Sequence, residues 1–141
     1  MKLGIASDHA GYLLKQALVP FLGELGHEVQ DLGCDSQAPV HYPDFADRLC
    51  LAMKDGAFER GILVCGTGIG MSMAANRHRY IRAALCHDAL GARLSREHNN
   101  ANVLCLGGRI LGTALAMDIV AVWLATEFAG GRHQRRIELF C

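Results

Sequence analysis

Short apolar segments recur along the chain, and glycine, proline or polar residues separate them from their surroundings. Segments of this length and character are typical of β-strands buried on both faces. We predict five strands on this basis, at residues 3–6, 28–32, 62–64, 81–86 and 103–106.

Apolar residues at helical spacing lie between these segments. A first stripe occupies residues 13–25 and is followed by Gly26, a residue common just after a helix C-terminus. Residues 45–53 and 115–123 show the same spacing. Residues 71–76 and 88–97 are also compatible with helix, and Asp88 is well placed to cap the second of these segments.

Strands that alternate with helices predict an α/β fold with a doubly wound parallel sheet. Five strands without an obvious insertion favour a flavodoxin/Rossmann-like three-layer sandwich with the strand order 2-1-3-4-5. The 141 residues suffice for one domain, residues 1–141. Ligands of such sheets bind at the carboxyl ends of the strands, between the first and third strands. The loops expected there are residues 7–11 and 65–70.

The loop after the third strand carries the clearest chemical signal. It begins with Cys65 and has glycine at positions 66, 68 and 70. Alternate glycines leave main-chain N–H groups free to face a bound anion, and the N-terminus of the following helix adds partial positive charge. We expect a thiol beside such donors to be a better base or nucleophile than a free cysteine.

Simpler interpretations of this loop fit less well. It lacks the Gly-Lys-Ser/Thr of a Walker A loop, and Met71 breaks the G-x-G-x-x-G pattern of a dinucleotide fold. A tight turn with a buried thiol would not require three glycines. The sequence therefore favours an anion site with a reactive group.

Polar side chains lie in two other loops that we predict at the same edge. Asp8 and His9 follow the first strand, and the topology places them opposite Cys65. His98 and Asn99 lie just before the fifth strand, where an imidazole suits proton transfer near neutral pH and an amide can bind a hydroxyl or an oxyanion. Without this placement, the first pair would be a surface turn and the second a polar helix C-terminus.

Arginines provide candidate anion ligands. Arg109 follows the fifth strand, and Arg132 and Arg136 would share one helical face, where their guanidinium groups could bind a phosphate. A solvated tail is the ordinary interpretation of such a cluster. The formal net charge is zero, with 14 Lys and Arg against 14 Asp and Glu. A small anion is therefore a better candidate than nucleic acid.

Composition narrows the class of protein further. With 51% hydrophobic and 20% charged residues, the chain is typical of a globular protein. No apolar segment is long enough to span a membrane, and the N-terminal residues show no signal peptide, which favours the cytoplasm. The six cysteines include no C-x-x-C pair, which argues against zinc. Cys50, Cys86 and Cys105 are predicted to be buried, whereas Cys34 and Cys141 have no evident role.

Several motifs together resemble one known family, type B ribose-5-phosphate isomerase. They span essentially the whole chain in register, at residues 8–11, 42–43, 65–70, 74–76, 94–99, 107–109 and 130–134. The wider family includes galactose-6-phosphate isomerase and relatives that act on allose and erythrulose phosphates.

The resemblance implies an aldose–ketose isomerase that uses no metal or cofactor and works through a cis-enediolate. Cys65 would move the proton between C1 and C2 of the sugar. One branch of the family uses a glutamate where this chain has Met71, and a thioether cannot take a proton. Thr67 would assist at O1 or O2. Main-chain amides would stabilise the enediolate, in a cradle formed by Gly66, Thr67, Gly68, Ile69 and Gly70.

The resemblance also assigns the remaining contacts. His98 would open the furanose ring, while Asp8, Tyr42 and Asn99 would bind the sugar. The phosphate ligands would be His9, Arg109, Arg132 and Arg136. The last two would reach in from a partner subunit on the C-terminal segment 128–141, in a homodimer or a dimer of dimers. Arg135 receives no role.

The sequence leaves alternatives open for the substrate and for the kind of function. Ribose 5-phosphate and ribulose 5-phosphate are the leading substrate pair, because the cysteine and His98 patterns match that branch. Another sugar phosphate is the first alternative, with allose 6-phosphate, galactose 6-phosphate and erythrulose 4-phosphate as candidates. The second is a non-catalytic nucleotide- or flavin-binding module. It would use the glycine loop for phosphate and leave Cys65 idle, with Asp88 near the distance expected of a ribose-binding acid.

Overall fold

The computed structural model describes all of residues 1–141, and its centre is a sheet of five parallel strands. The strands are β1 (Lys2–Ser7), β2 (Glu28–Asp31), β3 (Arg60–Cys65), β4 (Ala83–Leu85) and β5 (Val103–Gly107). All five predicted strands are present, and the predicted α/β class with a parallel sheet is confirmed.

The strand order is β2-β1-β3-β5-β4, so the last two strands are exchanged relative to the predicted order 2-1-3-4-5. All five residues of β5 are buried, and this strand pairs with β3 on one side and β4 on the other. The three residues of β4 are only partly buried. A fully apolar strand gains most from an interior position, whereas a short, half-buried strand suits an edge.

Six helices connect or follow the strands. They are α1 (Tyr12–Glu24), α2 (Tyr42–Lys54), α3 (Ile69–Ala75), α4 (Ala89–Asn99), α5 (Thr113–Ala125) and α6 (Arg132–Ile137). The predicted cap of α4 is confirmed, because the Asp88 side chain accepts a hydrogen bond from the Gly91 N–H at 2.6 Å. Gly26 follows α1 with a φ of +86°, a conformation that glycine adopts without strain. None of the helices has the length and apolar character of a membrane span.

The two faces of the sheet carry separate hydrophobic layers. Alternate residues of each strand point to opposite faces. In β3, Ile62 and Val64 pack with α1, α4 and α5, where Trp123 is fully buried. Leu63 and Cys65 pack on the other face with α2 and α3. The chain thus leaves β1 toward one face and β3 toward the other, and the loops that follow these two strands meet at the carboxyl edge of the sheet.

Candidate active site

The loops that follow β1, β3 and β5 contact one another at the carboxyl edge of the sheet. The N–H of Asp8 donates to the Val64 carbonyl at 3.1 Å. The N–H groups of Gly108 and Arg109 donate to the carbonyls of Cys65 and Gly66 at 2.8 and 2.9 Å. We call this region the strand-end crevice; it comprises residues 8–11, 65–70 and 107–109.

Three glycines allow these loops to approach closely. A Cβ on Gly107 would lie 2.8 Å from the carbonyl carbon of Thr67, and one on Gly108 would lie 2.9 Å from the Ala10 carbonyl oxygen. A Cβ on Gly11 would overlap the Val64 carbonyl. The obstructing atoms belong to the main chain, so no change of rotamer could make room for a side chain.

Cys65 is held at the start of the glycine loop. Its Sγ accepts a hydrogen bond from the N–H of Gly68 at 3.1 Å, and Gly68 adopts a φ of +78°. The hydroxyl of Thr67 accepts the N–H of Ile69 at 3.2 Å. The Cys65 side chain is only 4% exposed and packs on the side of α2 and α3. The loop therefore fixes the position of the sulfur at the end of β3.

Tyr42 and Arg109 lie beside the glycine loop of the strand-end crevice. Tyr42 is the first residue of α2, and its ring lies so close to Gly70 that a Cβ there would be 2.7 Å from the Tyr42 Cζ. Arg109 lies beside Gly66, where a Cβ would be 3.4 Å from the Arg109 Cδ. The structure thus brings both predicted ligands to the glycine loop.

Asp8 and His9 are held by main-chain donors. The Oδ1 of Asp8 accepts the N–H groups of Ala10 and Gly11 at 2.9 and 3.0 Å, so this buried carboxylate stabilises its own turn. The Nδ1 of His9 accepts the N–H of Val40 at 3.2 Å. The loop that precedes α2 therefore forms one wall of the site.

The prolines and polar residues of segment 33–43 are typical of an irregular and exposed loop, but part of the segment is buried. Gly33 and Cys34 are buried, and Val40 is half-buried against the α2 side of the core. The contact to His9 comes from the main chain of Val40, which no residue type signals. The only sign of it in the sequence is an apolar residue within an otherwise polar loop.

A second cluster of predicted residues lies on α4 and α6. The imidazole of His98 stacks on that of His133, with ring centroids 4.3 Å apart and an interplanar angle of 12°. Arg132 and Arg136 lie on α6, which is helical as predicted, and both are exposed. We call these four residues the histidine–arginine group.

His133 is a member of this group that was not predicted from the sequence. The available signal was its place in a motif between two candidate phosphate ligands, on the helix that carries them. The pKa of His133 is lowered from its ordinary value by partial desolvation and then by the charges of His98, Arg132 and Arg136. Simultaneous protonation of the two stacked rings is therefore unfavourable.

The candidate residues fall into two separate sets within one chain, and the prediction that His98 and Asn99 lie beside the strand-end crevice is wrong for a single chain. Both are at the C-terminus of α4, which leads into the amino end of β5, at the opposite edge of the parallel sheet. No hydrogen bond, ion pair or ring contact joins the strand-end crevice to the histidine–arginine group. Asn99 belongs to neither set; it lines a cavity of about 290 Å³ with Arg82 and Phe140. Cys65 lines none of the three surface cavities of the chain.

The other thiols have the structural character predicted for them. Burial raises the pKa of Cys50 to about 12 and that of Cys86 to about 11, and it raises the pKa of Cys105 well above the ordinary value. These thiols stay protonated at neutral pH. Cys34 is also buried, while Cys141 is exposed.

The structure weakens the argument for a nucleotide site. Asp88, the candidate ribose ligand, uses its carboxylate to cap α4.

No group of three or more His, Cys, Asp or Glu side chains is arranged to hold a metal ion.

Comparison with known proteins connects this geometry to a family. The ribose/galactose isomerase family model matches residues 3–140. Ribose-5-phosphate isomerase B of Escherichia coli (strain K12) is 45% identical over 137 residues, which cover 97% of this chain and 92% of that protein. D-erythrulose-4-phosphate isomerase of Pectobacterium atrosepticum is 43% identical over 140 residues, which cover 98% and 91%.

A solved structure agrees with this result. Ribose-5-phosphate isomerase B of Clostridium thermocellum superposes with a TM-score of 0.97 at 51% identity, and the match covers 99% of this chain and 94% of that one. The chain therefore belongs to the ribose/galactose isomerase family, and it is a sugar-phosphate isomerase.

Proposed function

We propose that the protein interconverts ribose 5-phosphate and ribulose 5-phosphate through a cis-enediolate, without a metal or another cofactor. The observation that carries the proposal is the position of Cys65, whose sulfur is fixed by the Gly68 N–H at the start of the glycine loop. The two ribose-5-phosphate isomerases B described above, which match nearly the whole chain, support the choice of sugar.

Cys65, as the thiolate, would take the proton from C2 of the open-chain aldose. The electron pair of that C–H bond would form the C1=C2 double bond, and the carbonyl π electrons would move to O1. The proton on O2 would pass to O1. A lone pair of O2 would then form the C2=O2 double bond, while the electrons of the C1=C2 double bond take the proton back from Cys65 at C1, which gives the ketose. Thr67 lies in the loop where its hydroxyl could serve O1 or O2. The N–H groups of Gly68 and Ile69 donate to Cys65 and Thr67, and the other N–H groups of the loop would stabilise the negative oxygen.

His98 would act before this step, as the acid that protonates the ring oxygen and opens the furanose. An imidazole suits this role near neutral pH. Asp8 and Tyr42 would orient the sugar from the crevice, and Asn99 would bind one of its hydroxyls. The contact between the Tyr42 ring and Gly70 supports the Tyr42 assignment, because it places the phenol at the far end of the glycine loop.

The phosphate would be held by His9 and Arg109 of one subunit and by Arg132 and Arg136 of its partner. The separation of these residues within one chain supports a site shared between subunits. Arg132 and Arg136 are exposed on the short helix α6, where a second chain could approach them. The segment 128–141 would then reach across the interface of a homodimer or of a dimer of dimers. The six free cysteines fit the reducing cytoplasm as the place of this reaction.

The identity of the sugar is the part that experiment should decide first. The D-erythrulose-4-phosphate isomerase described above is nearly as similar to this chain as the E. coli ribose-5-phosphate isomerase B. We would assay aldose–ketose exchange with ribose 5-phosphate, allose 6-phosphate, galactose 6-phosphate and erythrulose 4-phosphate, with and without EDTA. We expect the highest kcat/KM for ribose 5-phosphate and no effect of the chelator.

Other outcomes would contradict the proposal. A higher kcat/KM for another sugar would replace the substrate, and inhibition by EDTA would argue for a metal. Absence of exchange with every sugar, in protein that is yellow or carries a nucleotide, would favour the non-catalytic module.

A further inference from the structure

The hydrogen bond between His9 and the loop before α2 determines which nitrogen of the ring is protonated. The Nδ1 of His9 faces the N–H of Val40 at 3.2 Å. A main-chain N–H can only donate, so Nδ1 must be the acceptor and carry no hydrogen. A neutral imidazole has one N–H, which in this arrangement belongs to Nε2.

Buried contacts anchor the loop that presents Val40. The side chain of Lys15 is completely buried, and its Nζ donates to the Oδ2 of Asp31, the last residue of β2. The Oδ1 of the same carboxylate accepts the N–H of Gly33 at 2.9 Å. A buried ammonium is stable only with such a partner, so this pair fixes the start of the loop.

Main-chain bonds extend this anchor toward β1. Ser7 donates its N–H to Gly33 at 2.7 Å and accepts the N–H of Cys34 at 2.9 Å. The guanidinium of Arg48 donates to the Leu32 carbonyl at 2.7 Å. At its other end the loop leads into α2, where the Tyr42 ring lies against Gly70. Both ends of the loop are thus held against the crevice.

His9 is fixed from its own side as well. The Asp8 carboxylate accepts the N–H groups of the two residues that follow His9, and this turn sets the direction of the His9 side chain. The position of His9 relative to Val40 therefore follows from the turn that holds His9 and from the main-chain bonds that join the two loops at Ser7.

We propose that Val40 is a positioning residue whose main-chain N–H selects the Nε2–H tautomer of His9, so that His9 binds the anionic group of the substrate as a hydrogen-bond donor. This inference rests on the proposed role of His9 in phosphate binding. A phosphate oxygen only accepts hydrogen bonds, so a ring that turned an unprotonated nitrogen toward it would repel it. Selection of the tautomer removes that possibility before the substrate arrives.

The test is the tautomer of His9 in the free, full-length protein. Long-range proton–nitrogen NMR spectra of protein labelled with ¹⁵N-histidine, recorded above the titration range of histidine, distinguish the two tautomers. The His9 signals are assigned from a His9→Gln spectrum. We expect a protonated Nε2 and an unprotonated Nδ1. A His9 ring protonated at Nδ1 would overturn the proposal with no variant needed.

Two variants separate the N–H from the side chain that accompanies it. Val40→Pro removes the donor, and Val40→Ala keeps it while trimming the half-buried side chain. We expect a mixture of tautomers in Val40→Pro and the wild-type tautomer in Val40→Ala. Ala38→Pro is a matched control, because it removes an N–H of the same loop that faces Ser36 rather than His9.

Kinetics with ribose 5-phosphate complete the test. If about half of the His9 rings in Val40→Pro carry the hydrogen on Nε2, KM should rise about twofold, with kcat nearly unchanged. Val40→Ala and Ala38→Pro should retain the wild-type KM. A changed tautomer with an unchanged KM would contradict the link to anion binding. If the wild-type protein shows the expected tautomer but no isomerase activity, only the proposed function fails.

Discussion

The strand-end crevice and the histidine–arginine group differ in how the fold supports them. The crevice is built from main-chain hydrogen bonds between three loops and from glycines that no other residue could replace without displacing the backbone. The histidine–arginine group depends on side chains that project from α4 and from the six-residue helix α6. Its internal contact is a stack of two imidazoles.

This difference indicates which part of the site a single chain can complete. Main-chain groups bonded to a buried sheet have fixed positions, so in the proposed reaction the crevice would be preorganised for the charge that develops during proton transfer. Exposed arginines on a short helix have no such support. Another surface packed against them would fix their positions, and in the proposed function that surface belongs to a second copy of the chain.

The largest expected effect concerns the crevice. Cys65→Ala should lower kcat by about 10² to 10⁴-fold, as expected for loss of a general base, while the fold is retained because a single sulfur adds little to packing. Activity and thermal unfolding should be measured together. Cys50→Ala is the matched control, since it removes a buried thiol on the same side of the sheet with a pKa near 12. Equal activity of the two variants would eliminate Cys65 as the base.

A smaller loss of activity should follow from adding a side chain where Gly107 contacts the glycine loop. Gly107→Ala places a methyl group 2.8 Å from the main chain of Thr67 and should displace the glycine loop. We expect kcat/KM to fall about tenfold to a hundredfold, because catalysis is sensitive to shifts of this size. Gly112→Ala is the control, since its Cβ would meet nothing within 4 Å. Similar activities of the two variants would show that the close approach has no catalytic importance.

The smallest effect concerns the stacked imidazoles. The pKa of His133 is below its ordinary value of 6.5, so protonation opposes the folded state. His133 should therefore contribute to stability above pH 6.5, and the contribution should be lost as pH falls through the folded-state pKa. An NMR titration should show a low midpoint for His133 that rises in His98→Gln and stays constant in His41→Gln. A midpoint that does not respond to His98→Gln would show that the stack does not couple the rings.

Most of the fold could be predicted from the sequence, because the features that indicate a strand or a helix lie within the segment that forms it. The five strands follow from apolar runs, and the cap of α4 follows from Asp88. The predicted order of β4 and β5 is wrong because the number of strands alone suggested the flavodoxin-like order. The partial burial of β4, which places it at the edge, is a property of the assembled sheet.

The crevice could be predicted from topology, whereas contacts through the main chain could not. Asp8, Cys65 and Arg109 follow strands that end at one edge, and parallel sheets bring such ends together. The Val40 N–H carries no side-chain signature. His133 acquires its importance only by stacking on a residue of another helix.

The most direct test of the shared site uses two defective subunits. A Cys65→Ala chain and an Arg132→Ala chain, each inactive as a homodimer, would be co-expressed with different tags and the mixed dimer purified. A site that joins the crevice of one chain to the arginines of the other is intact once per mixed dimer, so we predict about half the wild-type activity. A chain with both substitutions, paired with a wild-type chain, should then be inactive. The reverse pattern, with no activity in the first mixed dimer and about half in the second, would show that each chain builds its own site.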